Sequence, residues 1–60
     1  MINPIAMEIL KLYFGTKLTI EQVAKIHGVS EQIVKECIIR SWLDDDVYRE
    51  VMSEIRDEKQ

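Results

Sequence analysis

The stretch Leu18-Thr19-Ile20-Glu21-Gln22-Val23-Ala24-Lys25-Ile26-His27-Gly28-Val29-Ser30 decides the fold. Thr19 with Gln22 three residues on is a capping box, in which each side chain satisfies the other residue's orphan backbone donor. Leu18 before the cap and Val23 inside the helix add the hydrophobic staple that fixes the chain's entry angle. The spacing predicts a helix over about residues 20–27, barely two turns and too short to persist without tertiary packing. Gly28 stops it, glycine being the residue that turns left-handed without a steric cost. Ser30 then caps again, and Val29 with Val34 repeats the staple. Two short helices therefore meet at a glycine corner.

Working outward, Asn3-Pro4 reads as an N-cap with proline at the first helical position, where the missing N–H costs nothing. Ile5, Ala6, Ile9, Leu10 and Tyr13 recur at helical spacing, which predicts a helix over about 4–14 with Gly15 as a left-handed stop. The helix opened by Ser30 continues through Val34, Cys37, Ile38 and Trp42 to about residue 43, with Trp42 expected at the core edge. One of Asp44, Asp45 and Asp46 caps a fourth helix over about 45–57, whose apolar stripe is Val47, Tyr48, Val51, Met52 and Ile55. No segment alternates as a strand does. The expectation is an all-α fold, a three-helix core over residues 1–43 followed by an acidic C-terminal helix in residues 44–60.

Charge divides at the same place. The 60 residues carry a net charge of −3. Through Leu43, Lys11, Lys17, Lys25, Lys35 and Arg40 outweigh Glu8, Glu21, Glu31 and Glu36 by +1. From Asp44 onward, seven acids against Arg49, Arg56 and Lys59 leave −4. The acidity thus belongs to the last helix and does not exclude a nucleic-acid partner for the first two-thirds. Ile39 and Leu43 fall on the outer side of the third helix. Either the fourth helix folds over them or they join a partner chain, since domains this small often complete their core by association.

The corner from Ile20 to Ile39, with Ala24 at the close crossing, Gly28 in the turn and Val29 plugging the angle, resembles a helix-turn-helix. It is similar to the motif of phage repressors and to the promoter-reading region of bacterial sigma factors. His27 departs from the pattern, standing where the family usually has a large apolar residue. The resemblance implies that Ser30, Glu31, Gln32, Lys35, Glu36 and Ile39 face a major groove. Gln32 would read adenine, Glu31 or Glu36 would accept from a cytosine amino group, and Lys35 would reach guanine or a phosphate. Thr19 and Ser30 would hold phosphate at helix N-termini, with Lys25, Lys17 and Arg40 supplying further backbone contacts. The reading face sums to −1, so a lone copy would bind weakly and a homodimer on a two-fold site is the expected remedy.

Other chemistries lack their residues. One cysteine permits no internal disulfide, and the single His27 and Cys37 sit on different helices. His27 is expected to cap the end of its helix and Cys37 to be a small buried hydrophobe. The aspartate triplet has neither the spacing nor the glycine of a calcium loop, and no glycine-rich phosphate loop occurs. No apolar run exceeds three residues, and no basic leader precedes one. The expectation is a cytoplasmic, non-enzymatic regulator of transcription or recombination, with no cofactor, no metal and no membrane association, whose partner is double-stranded DNA. Its small size is similar to that of regulators from phages and other mobile elements. The alternative reading is a protein-binding module that docks the acidic residues 44–60 on another regulator or on RNA polymerase.

Overall fold

The computed structural model describes residues 3–58, and it is all-helical: α1 (Pro4–Gly15), α2 (Ile20–His27), α3 (Glu31–Leu43) and α4 (Asp45–Glu58). Each start follows its cap. Asn3 Oδ1 accepts from the Ile5 N–H at 2.8 Å, and Pro4 occupies the first turn. The capping box closes with Thr19 N–H donating to Gln22 Oε1 at 2.9 Å and Gln22 N–H donating to Thr19 Oγ1 at 3.2 Å. Ser30 Oγ accepts from Ile33 N–H at 3.3 Å.

Of the three aspartates, Asp44 is the cap. Its Oδ1 accepts from the N–H groups of Asp46 and Val47 at 3.0 and 3.4 Å. Its backbone N–H donates to the Arg40 carbonyl at 3.1 Å and its carbonyl accepts from Tyr48 N–H at 3.1 Å. A single residue thus closes α3 and opens α4. Asp45 and Asp46 occupy the first turn of α4, the end where the helix dipole favours negative charge.

Helices α1 and α3 form the centre, touching each other and both remaining helices, while α2 and α4 do not pack on one another. The core joins Met7, Ile9 and Leu10 of α1, Val23 and Ala24 of α2, Val34 and Ile38 of α3, and Val51 and Ile55 of α4. Val51 is fully buried, so α4 is part of the core. Lys11, whose side chain is largely covered, lies 3.7 Å from both Glu8 and Glu54 and ties α1 to α4. The rings of Phe14 and Tyr48 meet edge-on at 5.7 Å across the same seam. Ser41 is the buried polar side chain of α3, and its hydroxyl is satisfied by donating to the Ile38 carbonyl at 2.6 Å. No helix among the described residues is long and apolar enough to cross a membrane.

Several sequence expectations change. Gly15 is the last helical residue and not a left-handed stop; the chain leaves α1 at Thr16, which is extended, and the Thr16 hydroxyl donates back to the Leu12 carbonyl. Trp42 stands 63% exposed and is no core anchor. Helix α4 does not cover Ile39 or Leu43, which stay exposed, because its stripe packs on α1 and on the Ile38 side of α3. Met7 joins the core although it was not singled out from the sequence.

Two substitutions measure these assignments by urea denaturation. Ile55→Ala, which empties a buried site between α4 and α1, is expected to cost about 2–4 kcal/mol. Gly15→Ala is expected to be neutral or slightly stabilising, since the added methyl would sit 3.6 Å from Ile55, an ordinary contact.

Candidate nucleic-acid interface

The angle between α2 and α3 is set by the backbone. Gly28 adopts φ 66° and ψ 33°, the left-handed conformation that other residues enter at a cost of about 1–2 kcal/mol. In that conformation the Gly28 N–H donates to the Lys25 carbonyl at 3.3 Å and the Val29 N–H to the Ala24 carbonyl at 3.0 Å. This is a Schellman closure. It satisfies the helix end with main-chain donors, so the imidazole of His27 is not the cap that the sequence led us to expect. Leu18 and Val29, the two staple residues, are half-buried and pack against the cluster that holds Val23 and Val34.

With the corner fixed, one side of α3 faces the core through Val34, Ile38 and Ser41, and the rest points outward. Ser30, Glu31, Gln32, Lys35, Glu36, Ile39 and Arg40 are all exposed, as are Thr19 and Lys25. Helical periodicity separates them into strips. Gln32, Glu36, Ile39 and Leu43 run along the outward centre, one turn apart. Glu31, Lys35 and Trp42 form one flank, with Lys35 in no hydrogen bond or ion pair among the described residues. Arg40 is on the other flank, beside Ile33 and Cys37, where it lines a groove between α1, α3 and α4. The structure therefore brings Gln32, Lys35 and Glu36 together at the N-terminal half of α3 and sets Arg40 apart from them. Lys25 pairs with Glu21 at 3.6 Å, but both side chains are well exposed and the pair is easily exchanged for another anion.

The caps leave chemistry to spare. The Thr19 and Ser30 hydroxyls use a lone pair on the backbone and keep their O–H as donors for a phosphate oxygen. Glu31 lies in the first turn of α3, where its charge is stabilised by the helix N-terminus and competes with an incoming phosphate for the same amides. Ile33, to which the sequence reading gave no role at the interface, is 44% exposed. The signal for Ile33 was its place one turn before Cys37 on the flank opposite Lys35. Burial pushes the Cys37 thiol above its ordinary value, with the nearby Arg40 charge opposing the shift and Glu36 adding to it.

The family model for sigma-70, region 4 matches residues 2–42, two-thirds of the chain. Comparison with curated proteins and with solved structures returns no match. The chain belongs to the sigma-70 region 4 family, a helix-turn-helix DNA-binding region used in transcription, as the corner from Ile20 to Ile39 led us to expect. The matched segment covers α1 to α3 and stops before α4.

Two measurements test the local physics. Gly28→Ala should lose about 1 kcal/mol from backbone strain alone, as nothing lies within 4 Å of the added methyl. Cys37 should make the fold alkali-sensitive. Its raised value in the native state means that the unfolded thiol ionises first, so stability is intact below the ordinary thiol value and falls as pH rises through it. The difference in chemical stability between wild type and Cys37→Ala should therefore shrink between pH 7 and about pH 10.

Proposed function

We propose that the protein is a sequence-specific duplex-DNA-binding regulator of transcription that inserts the N-terminal half of α3 into the major groove. The observation that carries this reading is the left-handed Gly28 corner. It holds α3 rigidly against α2 while leaving Ser30, Glu31, Gln32, Lys35 and Glu36 exposed along the helix start. Membership of the sigma-70 region 4 family supports it.

In this reading the residues divide by role. Gln32 offers an amide whose Oε1 can accept from the adenine N6 amino group while its Nε2 donates to N7, and Glu36 accepts from a cytosine amino group one turn on. Lys35, on the flank, reaches a guanine edge or the adjoining phosphate. Thr19 and Ser30 donate their hydroxyls to phosphate oxygens, and Lys25 exchanges Glu21 for the DNA backbone. Two glutamates on the reading face repel phosphate, which makes affinity low and discrimination high, because a wrong sequence leaves those carboxylates unpaired in the groove. Regulation at a cytoplasmic chromosome or plasmid follows from this role.

A second reading has its own observation. On the outer face of α4, Asp45, Asp46, Glu50 and Asp57 are exposed. That surface suits docking on a basic protein partner such as RNA polymerase or another regulator. Retention of a stoichiometric partner after nuclease treatment favours this role, and loss of retention on nuclease treatment favours DNA.

The test is fluorescence anisotropy with duplexes from the regulatory regions of the source genome, at low salt, against scrambled controls. Lys35→Ala should weaken binding to all duplexes alike and lower the salt slope by about one. Gln32→Ala should cost about 1–3 kcal/mol on the preferred duplex and little on the scrambled one. Binding of every duplex with equal, background-level affinity would overturn the proposal.

A further inference from the structure

Between the start of α1, the C-terminal half of α3 and the start of α4 lies an open groove of about 500 Å³. Ala6, Leu10, Cys37 and Val47 line it with mainly apolar surface, and Arg40 and Asp44 stand among its polar walls. Leu43 also borders it and is 82% exposed, the most exposed of the large apolar side chains. Ile39, one turn before Leu43 on the outward strip of α3, is exposed as well, whereas the exposed Trp42 lies on the flank away from the groove. An apolar patch gathered on one end of one helix marks an interaction surface on a domain this small.

The patch contains its own complement. Leu43 protrudes, and next to it is a groove that accepts a side chain of that kind. Arg40 and Asp44, one turn apart and of opposite sign, belong to the same groove, and neither is in an ion pair among the described residues. A surface that carries both knob and hole, and both signs of charge, pairs with a copy of itself across a two-fold axis, where every contact occurs twice. We infer that this face is a homodimer interface in which Leu43 of each copy enters the groove of the other and Arg40 of each faces the other's Asp44.

This arrangement leaves the opposite end of α3 free. Ile33 and Leu43 are about 15 Å apart along the helix at 1.5 Å per residue. Two copies joined at their Leu43 ends can thus hold their helix starts up to about 40 Å apart, enough to span one turn of duplex at about 34–36 Å. That consequence rests on the DNA-binding reading, whereas the dimer itself does not. The patch is small beside a standard interface of about 800 Å² per partner, so the dimer belongs to the weak class and needs high concentration without DNA.

Sedimentation equilibrium in the absence of DNA tests the interface. From about 10 µM to about 1 mM, a range chosen for the weak class, the apparent mass of the wild type should rise from 7.1 kDa toward twice that value. Leu43→Glu should stay monomeric over the whole range with an unchanged helical spectrum and melting temperature, because the side chain is exposed in the monomer. Leu43→Cys under mild copper oxidation should give a covalent dimer bridged between the introduced thiol and the partner subunit's Cys37. The two positions within one chain are about 9 Å apart along α3, beyond the reach of a disulfide. A wild type that remains at 7.1 kDa at about 1 mM overturns the inference. So does a dimer that Leu43→Glu leaves intact, or a cross-link that does not involve Cys37. Because no DNA is present, failure here is distinct from failure to bind a duplex.

Discussion

The burial of Val51 and Ile55 against α1 is the contact on which the rest of this domain depends. A chain of 60 residues has little core to spare. These two side chains are among nine buried apolar groups in the described residues, and they come from a helix that is otherwise charged. Remove them and α1 and α3 each lose one of the surfaces they pack against. The Lys11 contacts to Glu8 and Glu54 and the Phe14–Tyr48 ring pair are arranged around this seam and add to it. Neither would hold α4 in place alone, since the carboxylates are solvated and the ion pairs weak. The acidity of the C-terminal segment is therefore the outer face of a core helix, and its placement follows from an apolar stripe spaced three and four residues apart.

Within that frame, the protein separates the groups that build its corner from the groups that would read a partner. The α2–α3 angle is fixed by main-chain hydrogen bonds at Gly28 and Val29 and by Val23, Ala24 and Val34 in the core. None of these is exposed on the outward strip of α3. Gln32, Lys35 and Glu36 carry no structural duty, so their identities can change without disturbing the fold. The exceptions are Thr19 and Ser30, which cap helices and also offer hydroxyls outward.

The sequence was most informative where structure is local. Caps at Asn3, Thr19 and Ser30, the glycine corner and an aspartate cap at α4 are set by atoms within three or four residues, and all are found as the spacing implied. It misled where an outcome depends on distant neighbours. Gly15 carried the chemistry of a left-handed stop, but α1 runs on to it and Thr16 ends the helix by folding its hydroxyl back on Leu12. Trp42 had the hydropathy of a core-edge residue, yet the core is filled from all four helices without it. The candidate site was legible as a set of residues because helical phase follows from position. That Arg40 borders a groove apart from Lys35 was not, because the groove is made by α1 and α4.

The junction at Asp44 has a mechanical consequence. One residue serves as the last donor of α3 and the first acceptor of α4, so the two helices share no slack. With no linker residues between them, the two helices meet at an angle that the Asp44 backbone and the packing of α4 on α1 and α3 set together.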